Sequence, residues 1–227
     1  MLLRLLISTM AIFLASVASA DTATRVSQEC GACHALEEPD FETLGITERL
    51  QRQAPPLYFA GNKYRVEWLE QWLQSPEQIF PAGYLPYAPV KTTPEGDIPD
   101  TEALHQHLVL DSDSAQEVAA YLMTLTGRQA LVEGASYTPG NLAMRMGAMD
   151  FRRFKGCNAC HQEVIGEGGL SGPLLHNAWQ RLQPEYIDSF ISDPSAWDPN
   201  TIMPRLEMNE AAVQKLVDYL RLIGEEQ

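Results

Sequence analysis

Every cysteine of the 227-residue chain falls in one of two pentapeptides of the same pattern, Cys30-Gly31-Ala32-Cys33-His34 and Cys157-Asn158-Ala159-Cys160-His161. Two thiols three positions apart, with an imidazole directly after the second, form the attachment signature of c-type haem. The thiols bond the two vinyl-derived carbons on one porphyrin edge, and the adjacent imidazole reaches the iron from one face. Three other chemistries compete. A disulfide framework is open to an exported chain. A thiol redox pair needs no following His. A zinc site needs four ligands close together, and each pair here has one His beside it. The same pattern twice, consuming all four cysteines, predicts two covalent haems c, with Cys30, Cys33, Cys157 and Cys160 as attachment points.

The N-terminus predicts export. Arg4 gives a short basic start, Leu5 to Val17 is an apolar run, and Ala18-Ser19-Ala20 supplies the small residues of a cleavage site. The run is short for a bilayer span, so residues 1–20 read as a signal peptide cleaved after Ala20 and the mature chain as periplasmic; an uncleaved membrane anchor is the alternative. No later stretch of the mature chain reads as a membrane span, and no Cys follows the cleavage site to take a lipid. With 45% apolar and 20% charged residues the composition is globular. Thirty acidic against 16 basic residues leave a net charge of −14. That balance argues against nucleic acid and anionic lipid as partners and leaves a basic patch on another protein as the complement.

Sliding the chain on itself exposes a repeat. At an offset of 118, Ala54-Pro55-Pro56-Leu57 falls on Gly172-Pro173-Leu174-Leu175, and without a gap Trp68 meets Tyr186, Trp72 meets Phe190, Pro76 meets Pro194 and Pro86 meets Pro204. Farther on, Val118-Ala119-Ala120-Tyr121-Leu122 resembles Leu216-Val217-Asp218-Tyr219-Leu220. Each copy reads as short helices joined by long turns. Val66, Leu69 and Leu73 recur at helical spacing until Pro76; Ser114 and Glu117 make a capping box for a helix running to Leu125. In the second copy 141–154 leads into the motif, Pro184 suits a first helical position, and Asn209 caps a last helix ending at Gly224. Strand-like alternation is scarce. The expectation is an all-α chain of two tandem domains, 21–127 and 141–227, each wrapped around one haem, with a linker at 128–140.

With these residues in hand the chain resembles the two-domain di-haem cytochromes c of the bacterial periplasm, each half looking like a small class I cytochrome c domain. The resemblance covers most of the mature chain. The attachment motifs are its specific part, Met203-Pro204 is moderately so, and Gly172-Pro173 and the Tyr-Leu pairs Tyr121-Leu122 and Tyr219-Leu220 are weak alone. It implies His34 and His161 as proximal iron ligands, each held by a carbonyl of the Pro turn, from Pro173 in the second half and from Pro55 or Pro56 in the first. It also implies Met203 as the second axial ligand of the second haem. Met144, Met146, Met149 and Met208 read as core filler, and Met123 lies within a helix away from the distal face.

The first half departs from the family pattern. Leu85 stands in register with Met203, and leucine cannot ligate iron. Between Pro86 and Tyr121 lie 20 more residues than between Pro204 and Tyr219, and the surplus carries His105 and His107. A lost ligand, an insertion and two imidazoles together suggest a replacement: His107, with His105 as its substitute, becomes the expected second ligand of the first iron. An open iron is the alternative. Lys63, Arg181, Trp68 and Tyr186 are candidates for the haem propionates. His176, in register with Tyr58, reads as structural. The function implied is single-electron relay between periplasmic redox proteins, with no chemistry of its own. The alternative is a haem enzyme, or a haem subunit of an oxidoreductase, with an exchangeable site at the first haem.

Overall fold

A computed structural model describes residues 21–45, 47–48, 53–84, 90–100, 102–135 and 137–226. The expected signal peptide, and Leu85 with Pro86, lie outside the described residues.

In the first half, helical residues 21–25 pass into a π-turn, Val26–Cys30, that ends on the first cysteine. This segment crosses the helix Ser112–Leu122: Val26 is fully buried, and Arg25 Nη1 donates to Ser114 Oγ at 2.7 Å. The helix Ser112–Leu122 starts earlier than the Ser114–Glu117 pattern suggested. Asp111 is the cap, its Oδ1 accepting from the Ser114 N–H at 3.0 Å, because a carboxylate satisfies an orphan N–H and complements the helix dipole. The helix stops at Leu122, not Leu125. Against it packs Val66–Gln74, which buries Leu69 and Leu73 and closes at Ser75, before Pro76.

The second half repeats this plan. An α-helix, Met144–Met149, continues as a π-turn, Asp150–Phe154, and crosses the long helix Glu210–Glu225. At the crossing a Cβ on Gly147 would lie 2.5 Å from Tyr219 Cδ2, so no larger residue fits without displacing the ring. Asn209 caps the long helix as expected, accepting from Ala212 N–H at 3.0 Å, and Pro184 opens Pro184–Ser192.

The repeat is exact in its central part. Helices Ala60–Lys63 and Val66–Gln74 have counterparts Ala178–Arg181 and Pro184–Ser192 with the same bounds at the offset of 118. Between them the halves meet. Tyr64 forms an antiparallel bridge with Leu182, its own counterpart, flanked by Arg65 N–H to Arg181 O (3.0 Å) and Gln183 N–H to Lys63 O (2.9 Å). The side chains reciprocate. Arg65 Nε donates to the carbonyls of Trp179 and Leu182, both at 3.0 Å, and Gln183 Nε2 to those of Gly61 and Tyr64, both at 2.8 Å. Residues that meet their own repeats define a local two-fold axis, the isologous geometry of a symmetric dimer. Tyr58, Phe59, Tyr186 and Trp197 form a buried cluster contributed by both halves.

Three details differ from expectation. Within the linker 128–140 the segment Gln129–Glu133 is helical, and Leu131 and Val132 pack on the shared aromatic cluster. The 20-residue surplus of the first half contains a hairpin, Val90–Thr93 with Gly96–Pro99, turning at Gly96 with φ +126°. A second short hairpin, Gln162–Val164 with Glu167–Gly168, follows the second motif. Among the described residues no helix is long and apolar enough to cross a membrane.

Candidate functional site

Both pentapeptides open onto one cavity of about 990 Å³, at the upper end of the roughly 300–1,000 Å³ typical of small-molecule sites. Cys30, Cys33, Cys157 and Cys160 all line it as free thiols. Burial pushes the Cys30 thiol up, helped by the neighbouring Glu29, and pushes Cys157 up to about 11, so both stay protonated at neutral pH. Among the described residues no three His, Cys, Asp or Glu side chains gather as a bare metal ion would require. A porphyrin brings its own four nitrogens and asks the chain only for axial groups.

The two imidazoles are held alike. His34 Nδ1 lies 2.6 Å from the Pro55 carbonyl, and His161 Nδ1 lies 2.9 Å from that of Pro173. Pro55 and Pro173 are counterparts at the 118 offset, which resolves the choice between Pro55 and Pro56. A carbonyl only accepts, so Nδ1 carries the proton and Nε2 keeps its lone pair. Burial is the main force lowering both pKa values; Lys63 adds to it at His34 and Arg181 at His161, while the carbonyls oppose it. The neutral imidazole is the form that ligates metal. At the second motif a Cβ on Gly172 would come within 2.6 Å of the His161 ring, so this turn can press against the imidazole only as glycine.

Across the cavity from His34 stands His107, its ring centre 6.3 Å away. A separation of this size would leave room for one metal–nitrogen bond of roughly 2.0–2.1 Å to each ring. His107 Nδ1 contacts its neighbour's carbonyl, Leu108 O, at 2.8 Å, again leaving Nε2 free. A row of rings places it. Tyr64, Trp68 and Trp72 stack along Val66–Gln74 at 5.7 and 5.6 Å, and Trp72 meets His107 edge-on at 4.5 Å. This row was not foreseen from the sequence, although the spacing of Trp68 and Trp72 on one helix face was a signal for part of it; Tyr64 joins from the extended residues before the helix. His105 also lines the cavity.

On the second side Met203 lines the cavity from the Pro-rich loop and packs against the second core, its N–H donating to Thr201 Oγ1 at 3.2 Å. Met208 lines it as well. Of the methionines read as core filler, Met144 and Met208 do pack on the core, whereas Met146 is exposed.

Between the two motifs lies an electrostatic anomaly. Arg181 is 3% exposed, donates through Nη2 to Leu174 O at 2.9 Å, leaves Nε without a partner, and makes no ion pair among the described residues. Burial lowers its pKa to about 10, so it remains charged at neutral pH. An uncompensated buried guanidinium costs several kcal/mol; a cavity lined by one suits a ligand with carboxylates. Its counterpart Lys63 lies over the rings of Tyr64 (4.9 Å) and Tyr186 (5.6 Å). Burial holds the Tyr186 phenol well above its ordinary value, hence neutral and able to donate. Three of the four residues expected near propionates, Lys63, Arg181 and Tyr186, therefore gather at the two-fold axis beside Tyr64. Trp68 stands in the aromatic row and also lines the cavity. His176 is half-buried with Nδ1 unpartnered.

In each half a thiol pair and an imidazole with a free Nε2 line the cavity, with cations between, a donor set that would suit two covalently attached haems. Set against family models, curated proteins and solved structures, the chain matches none of them.

Proposed function

We propose that this chain is a periplasmic di-haem cytochrome c that relays single electrons, built as two tandem class I-like helical domains. The observation that carries the reading is the paired geometry of His34 on Pro55 and His161 on Pro173, each with its two cysteines on one cavity. When bound, each haem supplies a one-electron ferric–ferrous couple.

The chain's own residues do the rest. The Pro55 and Pro173 carbonyls hold the proximal imidazoles in one tautomer and raise their basicity. Trp72 and the apolar cavity wall keep water from the space between His34 and His107, and Met203 offers a thioether on the second side. Arg181 and Lys63 would neutralise haem propionates near the axis, and the Tyr186 phenol would donate a hydrogen bond to them. A thioether favours ferrous iron and an imidazole favours ferric, so the first site is the low-potential one, and electrons enter there and leave through the second. The first half is strongly acidic, with 17 acidic and 6 basic residues in 21–127, which suits a donor with a basic docking patch.

A haem enzyme with an open first iron is the second reading; His107 standing opposite His34 favours the carrier. The oxidised visible and near-infrared spectrum tests this. Co-existing bis-His and His–Met bands are expected, with about two haems per chain by pyridine haemochrome. A high-spin first haem that binds carbon monoxide as isolated would reject the carrier in favour of the enzyme.

A further inference from the structure

The charge of the chain is distributed unevenly. Residues 128–227 hold 9 basic and 13 acidic side chains, and four of the nine cations, Arg145, Arg152, Arg153 and Lys155, fall within 145–155 beside Asp150 alone. This segment runs straight into the second motif. Phe154, at the end of its π-turn, is 66% exposed. Packing gives no reason for so exposed a ring. The adjoining hairpin adds Val164 at 46% and Ile165 at 70%. Arg152 ties the two elements together through its ion pair with Glu163, which is itself buried. Arg153 and Lys155 make no ion pair among the described residues. An exposed aromatic and aliphatic centre with unpaired cations at its rim has the make-up of a docking surface. Gly156, Ala159 and Cys160 are exposed beside it, so the surface adjoins the attached porphyrin edge. The first motif has the opposite surroundings: Glu29, Glu37, Glu38 and Asp40 are exposed around it, and no large apolar side chain is exposed among its described neighbours in 21–48.

We propose that the surface formed by Arg153, Phe154, Lys155, Val164 and Ile165 docks an acidic redox protein against the second haem. The proposal rests on the electron-carrier reading and adds the partner's chemistry: by the order of potentials this partner is the acceptor, and its charge is opposite to that of the donor. A chain of net charge −14 repels an acidic protein over most of its surface, so this patch selects both the partner and its orientation.

The test uses the reduced holoprotein in stopped flow at low salt, oxidised by anionic hexacyanoferrate(III) or cationic tris(phenanthroline)cobalt(III). Poly-L-glutamate and the glutamate–tyrosine copolymer serve as competing acidic surfaces. The second haem is expected to favour the anionic oxidant, and added salt to erase the preference. Arg153→Glu with Lys155→Glu should lower that rate by about tenfold or more. The copolymer should compete better than poly-L-glutamate in the wild type, and Phe154→Ala should remove that advantage. Glu37→Lys, on the first side, should leave the second haem's rates unchanged. Equal rates in wild type and the double variant would overturn the docking surface while leaving the carrier reading intact. Low-salt sedimentation showing a wild-type dimer that the double variant loses would assign the patch to a second copy of the chain and overturn the proposal as well. Failure of the second haem to exchange electrons with either oxidant would overturn both readings.

Discussion

The two halves agree where they hold an imidazole and differ where they face it. On the proximal side the plan is duplicated, although the stretch from motif to Pro turn differs in length: Pro55 and Pro173 accept from His34 and His161, 21 and 12 residues on, and the helices that follow share their bounds at one offset. On the opposite side the first half presents His107 from a 20-residue surplus braced by Trp72, and the second presents Met203 from a short Pro-rich loop. The lesson is physical. On the proposed reading the proximal imidazole would have to meet the thioethers and the iron together, which leaves little geometric freedom. The distal group would need only to reach the iron, so loop length and ligand type could change there without disturbing the core.

The largest test of this comparison removes attachment from one half at a time. Cys157→Ser with Cys160→Ser should halve the haem content, from about two per chain to about one, and leave the first haem's spectrum in place; Cys30→Ser with Cys33→Ser should do the converse. Pyridine haemochrome on the purified variants measures it. Loss of both haems from either variant would show that the halves mature as one unit.

Next come the distal groups. Met203→Ala should abolish the thioether-to-iron band and lower the potential of the second haem alone. His107→Ala with His105→Ala should turn the first haem high-spin and open it to carbon monoxide. In the wild type two waves separated by more than about 60 mV, the tenfold interval for a one-electron couple, are expected in a redox titration, the lower one belonging to the first haem. If the thioether band survives in Met203→Ala, Met208 is the ligand.

A smaller effect separates the two sides of the interface. Arg65→Ala should cost about 2 kcal/mol, because a charged donor to two carbonyls and its stacking on Trp179 (5.1 Å) are lost together. Gln183→Ala, which removes the same two hydrogen bonds from a neutral donor, should cost about 1 kcal/mol. Denaturant titration of the holoprotein reads both, and equal losses would mean that the charge contributes nothing.

The smallest concerns a contact with no counterpart among the described residues of the first half. Tyr137, in the connecting segment, donates to Asp218 Oδ1 at 2.7 Å and accepts from Arg221 Nε at 3.0 Å. Tyr137→Phe should cost about 1 kcal/mol. Burial, with Asp218 second, pushes the Tyr137 phenol up to about 12. A raised folded value means that the folded chain keeps a proton the unfolded chain releases near pH 10. The contribution is therefore whole below pH 10 and lost between about 10 and 12, and the variant should show a shallower alkaline loss of stability over that window.

That the two pentapeptides and the Pro turns would be paired alike was legible because the motif pattern recurs and the repeat could be followed through prolines and aromatics without a gap. Pro184 and Asn209 behave as local chemistry dictates. What was illegible depended on competition or on distance. Asp111 won the cap over Ser114 because four neighbouring side chains, Asp111 to Ser114, all carry capping oxygens, and only the crossing helix with Arg25 decides among them. Leu131 and Val132 were read as linker because the aromatic cluster they pack on, Tyr58, Phe59, Tyr186 and Trp197, is assembled from residues far away in sequence. The hairpin at 90–99 escaped because its strands are mostly exposed and show no apolar alternation; Lys91, paired with Asp100 and Glu102, ties its first strand to the residues just past its end. The unpaired charge of Arg181 needs burial to be seen at all.

The bridge between Tyr64 and Leu182 joins a residue to its own repeat within one polypeptide. An association that two separate chains would have to sustain by concentration is here supplied by the tether, whose effective local concentration lies in the millimolar range for short linkers. A contact with an intrinsic affinity of only some tens of micromolar then stays closed almost all the time. Tethering also frees the two faces from having to be identical: one side of the dyad keeps an arginine and the other a glutamine, a divergence that no homodimer encoded by a single sequence can make. Expressed as separate polypeptides, the halves would have to find each other in dilution, and at micromolar levels they should remain apart.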